Sequence, residues 1–126
     1  MTRILIVEDQ ADIRLLIRTT LEFDDYEILE ADNGPRGLQM AVAMRPALVL
    51  LDVMMPGELD GYQVCERIKR DPAISLTKVV LLTARGQRAD QEQGQKAGCD
   101  RYLVKPFSPL ALIDVVDELL APAKHD

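Results

Sequence analysis

The sequence feature that most constrains the fold is an apolar run at residues 47–51 that ends on a carboxylate. Five apolar residues, ALVLL, follow one another without a polar break, which is typical of a β-strand buried on both faces. Asp52 closes the run, and Pro56 and Gly57 then prevent the continuation of a strand or a helix. The remainder of the chain is expected to be arranged around this central strand.

Four more strands and five helices are predicted from the spacing of apolar residues. The strands are expected at residues 3–7, 26–31, 78–83 and 101–105, and the second of them, YEILEA, is the least apolar and is expected nearer an edge. Helices are expected between the strands, including a polar one at residues 87–96, and the last helix runs from Ser108-Pro109 to about residue 120.

Three of these helices have a clear apolar side. The stripe of the first helix, with Arg14 and Arg18 outside it, consists of Ile13, Leu16, Ile17, Thr20 and Leu21. The second helix begins at Asn33-Gly34-Pro35, and its apolar side consists of Leu38, Ala41, Val42 and Ala43. The third helix is spaced by Gly61, Val64, Cys65 and Ile68.

Alternating strands and helices predict an α/β fold of the (βα)5 type, a doubly wound five-stranded parallel sheet with helices on both faces. We expect one domain over residues 1–121 and a short tail at 122–126, because 126 residues fit a single core. No DNA-binding segment follows residue 121 in this sequence, which favours a stand-alone domain.

The composition argues against several classes of function. A net charge of −6 is unfavourable for direct DNA binding and for an anionic membrane surface. Cys65 and Cys99 lack metal-ligand spacing and are expected to be small buried side chains. No apolar run approaches the ~18 residues of a spanning helix, and residues 1–7 are too short for a signal peptide. A soluble cytoplasmic protein without membrane insertion is expected.

Four of the five predicted strands end in a chemically active side chain: Glu8 with Asp9, Asp52, Thr83 and Lys105. The carboxyl ends of parallel strands meet at one edge of the sheet, so these groups are expected to lie together. Three converging carboxylates repel one another unless a cation compensates, and hard oxygen ligands in small number suit Mg²⁺. As a carboxylate, Asp52 needs no base to attack phosphorus, and Lys105 and Thr83 can bind phosphoryl oxygens. The set is suited to forming and holding an aspartyl phosphate.

The chain resembles the receiver domain of two-component response regulators along nearly its whole length. The motifs that carry the resemblance are the acidic pair Glu8-Asp9, the phosphoacceptor Asp52, the switch hydroxyl Thr83 beside Ala84, the aromatic switch residue Tyr102 and the pair Lys105-Pro106. The resemblance implies a flavodoxin-like fold and a phosphorylation switch that a histidine kinase or a histidine phosphotransfer protein supplies. For Tyr102 alone, an ordinary half-buried core position is an equally good interpretation.

The resemblance further implies a ligand set for Mg²⁺: direct bonds from Asp9, Asp52 and the backbone carbonyl of Met54, with Glu8 acting through water. It also implies a cis bond between Lys105 and Pro106. Two features depart from the family pattern. Position 8 carries Glu where Asp is commoner, and the loop at residues 55–61 is one residue longer than the usual form.

On this interpretation the chain is not an enzyme beyond its own phosphorylation and slow dephosphorylation. The phosphate is expected to be long-lived, because Met54 cannot orient water and Arg85 can cover the phosphoryl group. A downstream protein is expected on the face of the fourth helix, fifth strand and fifth helix. The fifth helix has an apolar arc of roughly 160°, with Leu110 and Ala111 outside it. The family uses charged pairs on this face, whereas Ala111 and Val115 offer none.

Three alternatives stay open at this stage. A Mg²⁺-dependent phosphohydrolase with an aspartate nucleophile usually has a second acid two residues on, where this chain has Met54. A mononucleotide carrier needs a phosphate loop after the first strand, where Glu8 and Asp9 would repel phosphate. The third alternative is an intermediate carrier in a phosphorelay, which shares the site chemistry of the receiver.

Overall fold

The computed structural model describes residues 1–84 and 88–120, and for residues 88 and 89 the backbone alone. Strands and helices alternate through this part of the chain. In chain order the elements are β1 Thr2–Val7, α1 Ala11–Leu21, β2 Tyr26–Ala31, α2 Gly34–Met44, β3 Leu48–Asp52, α3 Gly61–Arg70, β4 Lys78–Thr83, α4 Arg88–Ala97, β5 Arg101–Val104 and α5 Pro109–Leu120. Predicted and observed elements agree to within one residue at most ends, while the start of the fourth helix at residue 87 and the tail at 122–126 lie outside the described residues.

The five strands form one parallel sheet in the order β2-β1-β3-β4-β5. Strand β3 is central and buried along its whole length, as the unbroken apolar run predicts. Strand β2 lies at the edge and is only half-buried over most of its residues, which confirms the interpretation of its lower apolar content. The order reverses between β1 and β3, so the switch point of the sheet lies where Asp52 ends β3.

Two apolar clusters fill the two faces of the sheet, because successive strand residues point to opposite sides. Leu5, Val49 and Leu81 belong to the cluster that includes side chains of α2, α3 and α4. Ile6 and Leu50 contact the other cluster, which includes side chains of α1 and α5. The sheet is therefore covered on both sides, as a doubly wound fold requires.

Helix α1 buries a narrower stripe than its sequence predicts. Ile17, Thr20 and Leu21 are buried and Ile13 is half-buried, whereas Leu16 is 45% exposed. Leu16 lies at the margin of the apolar arc, and one face of a sheet covers only part of a helix circumference. The prediction that Leu16 belongs to the buried stripe is wrong.

Helix α2 contacts the sheet through its smallest residues. Gly34, Gly37 and Ala41 are buried, whereas the predicted Val42 and Ala43 are exposed. A Cβ atom at Gly37 would lie 2.7 Å from Cγ1 of Val7, so the helix packs too close to β1 for a larger side chain. The prediction is confirmed for Ala41 and for Leu38, which packs against the core, and is wrong for Val42 and Ala43. The two buried glycines were not predicted because glycine carries no hydrophobic signal.

Helices α3 and α5 begin at polar caps that fit their sequences. Asp60 accepts a hydrogen bond from the Gln63 backbone N–H at the start of α3, and the Gln63 side chain accepts one from the Asp60 N–H. Helix α5 starts after Ser108, whose hydroxyl accepts a hydrogen bond from the Ala111 N–H. Within the described ranges, no helix combines the length and apolar character needed to cross a membrane.

Candidate functional site

Strand register brings the predicted strand-end groups to one place. Val7 pairs with Leu51, so the next residues, Glu8 and Asp52, lie side by side. Asp52 pairs with Leu82 in β4, which places Thr83 one residue beyond it. Thr83 in turn pairs with Val104, the residue before Lys105. The juxtaposition expected from the sequence is therefore observed.

Asp52 is nearly enclosed at the end of the central strand, with 3% of its surface exposed. Its Oδ1 atom accepts a hydrogen bond of 3.1 Å from the Met54 backbone N–H and one of 3.2 Å from Nζ of Lys105. Gly61 lies behind it, where a Cβ atom would be 2.2 Å from the Asp52 carbonyl oxygen. The backbone at Gly61 therefore lies too close to that of Asp52 and Val53 for any larger residue at this position.

Glu8 is fully buried and is held through each of its polar groups. Its backbone N–H donates to the Ala31 carbonyl at 3.0 Å, and its own carbonyl accepts from Nη1 of Arg14 at 2.8 Å. Its carboxylate accepts from the Gln10 N–H at 3.2 Å and from Nζ of Lys105 at 2.6 Å. Glu8 thus takes part in the site as the direct partner of Lys105.

The three predicted carboxylates form a cluster. Glu8, Asp9 and Asp52 each present one oxygen atom, and these atoms lie within 4.8 Å of one another. The Lys105 ammonium contacts two members of the cluster, Glu8 and Asp52, and offsets part of their charge. Asp9 is the most accessible of the three carboxylates. A buried acidic cluster with one member open to solvent fits a small, hard cation.

The electrostatics of the site favour added positive charge. Burial raises the pKa of Glu8 to about 7, with a further contribution from neighbouring Asp52, although the hydrogen bonds from Lys105 and Gln10 act in the opposite direction. Burial alone would lower the pKa of Lys105, but the Glu8 hydrogen bond and the Asp52 charge raise it above its usual value. The ammonium therefore stays charged, and a cation that replaced it beside Glu8 would keep that carboxyl ionised.

The remaining predicted site residues lie around the cluster. Thr83 is buried at the end of β4, and its carbonyl accepts a hydrogen bond of 2.6 Å from the Lys105 N–H. The Lys105–Pro106 peptide bond is cis. Tyr102 is half-buried and packs against the cluster that includes α4 side chains, so its position is compatible with both interpretations given to it. Met54 is 61% exposed at the rim, and Arg85 lies outside the described residues.

The loop between β3 and α3, which was expected to be one residue longer than the usual form, packs against α2. Gly57 adopts a positive φ of 110°, and Leu59 turns inward to pack on α2. A Cβ atom at Gly34 would lie 2.3 Å from the Leu59 carbonyl oxygen, so the glycine at the start of α2 leaves room for this loop. The loop therefore packs against the start of α2, and the Met54 N–H still donates to Asp52.

Two features next to the site were not predicted from the sequence. The first is Arg14, which was placed outside the apolar stripe but contacts the Glu8 backbone. The second is an apolar groove of about 330 Å³ next to the site, lined by Gln10, Ile13, Leu16, Lys105, Pro106 and Phe107. The sequence indicates the groove only through Leu16, an apolar residue at the margin of the apolar stripe of α1.

Comparison with known proteins identifies the family. A family model described as the response regulator receiver domain matches residues 4–117. The chain belongs to this family. The receiver domain is 44% identical over 124 residues to transcriptional regulatory protein ResD of Bacillus subtilis (strain 168), and the match covers 98% of this chain and 50% of that protein. The receiver domain thus spans about half the length of the curated relatives it matches.

Solved structures agree with the receiver fold. The signal receiver domain of a signal transduction histidine kinase from Syntrophus aciditrophicus matches with a TM-score of 0.90 and 31% identity, covering 100% of this chain and 95% of that one. The receiver domain of sensor histidine kinase PA1611 from Pseudomonas aeruginosa PAO1 matches with a TM-score of 0.86 and 27% identity, covering 95% and 98%. The predicted flavodoxin-like fold and the predicted membership of two-component signalling are confirmed.

Proposed function

We propose that this receiver domain is a phosphorylation switch in which Asp52 accepts a phosphoryl group from a histidine kinase or a histidine phosphotransfer protein. The observation that carries the proposal is the position of the Asp52 carboxylate, which lies 3.2 Å from the Lys105 ammonium and within a cluster formed with Glu8 and Asp9. A nucleophilic carboxylate next to cationic compensation is what acceptance of a phosphoryl group requires.

In the proposed transfer, an oxygen of Asp52 attacks the phosphorus of the donor's phosphohistidine. A bond forms between that oxygen and phosphorus, and the bond from phosphorus to the imidazole nitrogen breaks with its electrons remaining on the nitrogen. A proton on the other ring nitrogen lets the imidazole leave as a neutral group. Lys105 and Thr83 lie at neighbouring strand ends, and the Lys105 ammonium and the Thr83 hydroxyl would bind oxygens of the transferred group.

The residues present fit a magnesium ion. Asp9 and Asp52 would hold it together with the Met54 carbonyl, and Glu8 would contact it through water. When bound, Mg²⁺ supplies charge neutralisation for the phosphoryl oxygens. The related PA1611 receiver domain was solved with a magnesium ion coordinated in its active site cleft, which supports the same assignment here.

The apolar groove beside Lys105 is the proposed docking surface for the donor. A donor must bring its phosphohistidine to Asp52, and the groove lies between α1 and the segment after β5, whose Lys105 touches Asp52. Ile13, Leu16 and Phe107 offer apolar surface there to a helix that carries the histidine. The 45% exposure of Leu16 supports this use.

The output surface is proposed on the face of α4, β5 and α5. Tyr102 packs under this face, Val104 is 40% exposed on it, and Arg101 pairs with Glu118 across β5 and α5. Ala111 was expected outside the packed arc, but both Ala111 and Val115 are half-buried against the core. The partner surface that fits is therefore a mixed one, with apolar contacts at the centre.

The same proposal covers the remaining properties. Dephosphorylation is slow and self-catalysed, the location is cytoplasmic, and the domain over residues 1–121 contacts proteins without inserting in membranes or binding DNA directly. An intermediate role in a phosphorelay is the second candidate. Transfer of the phosphoryl group from a histidine to Asp52 and its transfer from Asp52 to another histidine use the same chemistry. Transcriptional activity, which the name of ResD indicates for that longer protein, is not proposed for the receiver domain itself.

The test compares two phosphodonors on the purified domain. With acetyl phosphate and Mg²⁺, the intact mass of the wild-type protein should rise by one phosphoryl group, and Asp52→Asn should abolish the gain. Leu16→Glu should leave this reaction unchanged while slowing transfer from a phosphorylated histidine kinase. Labelling of Asp52→Asn at the wild-type level would refute the assignment of Asp52 as the phosphoacceptor. Transfer from the kinase to Leu16→Glu at the wild-type rate would refute the groove as the docking surface.

A further inference from the structure

We propose that Arg14 is a positioning residue that sets the geometry of the acidic pair for cation binding. The inference rests on the proposed function, in which Asp9 and Asp52 bind Mg²⁺. Arg14 lies on α1 and contacts neither Asp52 nor Lys105 in the hydrogen bonds described. Its Nη1 atom donates to the carbonyl oxygen of Glu8 at 2.8 Å.

The position of the Glu8 carbonyl oxygen determines the orientation of the backbone that leads to Asp9. This carbonyl belongs to the peptide group that joins Glu8 to Asp9, and a peptide group is planar. Fixing its oxygen therefore fixes the orientation of the Asp9 N–H and the direction in which Asp9 leaves the sheet. This peptide lies beyond the end of β1 at Val7, so the strand ladder of β1 no longer holds it.

The guanidinium of Arg14 is itself held in place. Its Nε atom donates to Oε1 of Glu30 at 3.2 Å, and the second oxygen of Glu30 pairs with Nε of Arg18 at 3.2 Å. Glu30 lies on β2, so the contact joins β2, α1 and the segment after β1. A planar guanidinium with several donors can serve Glu30 and the Glu8 carbonyl at once, which a lysine ammonium does less well.

Arg18 provides a matched control. It lies on the same helix and pairs with the same Glu30, so that Arg18→Gln removes the same charge and an interaction with the same partner. Its described contacts are with Glu22 and Glu30, and they do not include the Glu8 carbonyl. Loss of a nearby positive charge alone should strengthen Mg²⁺ binding in both variants. Loss of positioning should weaken it in the Arg14 variant only.

The experiment measures Mg²⁺ binding by calorimetry on the wild-type protein and on Arg14→Gln, Arg14→Lys and Arg18→Gln. We expect Arg14→Gln to weaken binding about tenfold, the scale found when an outer partner of a metal site is removed. Arg14→Lys should fall between Arg14→Gln and the wild type, and Arg18→Gln should bind as tightly as the wild type or more tightly. Phosphorylation of Arg14→Gln by acetyl phosphate should need more Mg²⁺ but reach nearly the wild-type rate at saturation.

The outcomes separate the inference from the function on which it rests. A wild-type protein that neither binds Mg²⁺ nor becomes phosphorylated would overturn the proposed function. A wild-type protein that does both, with unchanged Mg²⁺ affinity in Arg14→Gln, would overturn the role of Arg14, even if the variant melted at a lower temperature. If Arg14→Gln does not fold, Arg14→Lys decides, because wild-type Mg²⁺ affinity in that variant would contradict the dependence on the guanidinium.

Discussion

The Nζ atom of Lys105 lies 2.6 Å from Oε1 of Glu8, a carboxylate with no exposed surface. The two residues come from opposite ends of the chain and meet because β1 and β5 both end at the same edge of the sheet. In this contact the Lys105 ammonium already compensates part of the negative charge of the acidic cluster. A second cation should therefore compete with Lys105 for the carboxylates and release it toward an incoming phosphoryl group.

Magnesium should stabilise the domain. Mg²⁺ relieves the repulsion among Glu8, Asp9 and Asp52, and a concentration about ten times Kd should raise the free energy of unfolding by about 1.4 kcal/mol. Asp9→Asn should be more stable than the wild type without metal and should respond less to Mg²⁺. Thermal melts with EDTA and with millimolar Mg²⁺ measure both effects, and a melt indifferent to Mg²⁺ would count against the cluster.

The contribution of Glu8 to the stability of the metal-free domain should fall as the pH rises from about 4.5 to about 7. The pKa of Glu8 is about 7 in the folded state and 4.5 in its ordinary environment, so over this range the folded state holds a proton that the unfolded state has lost. Unfolding then releases a proton, and the free energy of unfolding falls as the pH increases.

Glu8→Gln is the control for this pH dependence because glutamine does not titrate. Urea unfolding in EDTA at several pH values should show a steeper decline for the wild type than for Glu8→Gln. Parallel curves for the two proteins would contradict the assignment of the titration to Glu8.

Hydrolysis of the aspartyl phosphate should be slow in the wild type and faster in Met54→Asn. Met54 lies at the rim beside Asp52 and has no side-chain hydrogen bond to orient an attacking water, whereas an asparagine amide can provide one. Loss of the phosphoryl group can be followed by intact mass after removal of the donor. An equal or slower loss of the phosphoryl group in Met54→Asn would show that the residue at position 54 does not limit the rate at which water attacks the aspartyl phosphate.

The output face can be tested at Val115, which is half-buried on α5. The aliphatic part of an arginine can keep the core contact while its charged end reaches water, so Val115→Arg should still fold and become phosphorylated. It should weaken, by about tenfold or 1.4 kcal/mol, the binding of a partner captured with the phosphorylated wild type.

Leu110→Arg is the matched control for that experiment. Leu110 is highly exposed and lies about 140° away around α5, at about 100° per residue. The same charge placed there should leave partner binding unchanged. Equal binding by wild type and Val115→Arg would place the output surface elsewhere on the domain.

The order of elements and most of the site could be predicted from the sequence. The unbroken apolar run at residues 47–51 indicated the central strand, since such a short run is typical of a strand covered on both faces. The strand-end residues Glu8, Asp52, Thr83 and Lys105 were predicted to meet because parallel strands end at one edge.

The features that escaped prediction have no hydrophobic or local signal. Gly37 faces the sheet because Val7 leaves no room for a Cβ atom, a requirement that depends on the distance between a helix and a strand. Arg14 binds a backbone carbonyl, and every residue offers the same carbonyl, so no side chain type marks the partner. Leu16 has the spacing of a core residue, but its exposure depends on where the sheet ends.

The most direct test of the central proposal locates the phosphoryl group in the chain. The domain is phosphorylated with acetyl phosphate and Mg²⁺ and treated with borohydride, which reduces an acyl phosphate to the alcohol and converts the modified aspartate to homoserine. Peptide mass spectrometry should then find homoserine at position 52 in the wild type, and none there without the donor. Homoserine at Asp9 or Asp60 with Asp52 intact would contradict the account of this receiver domain.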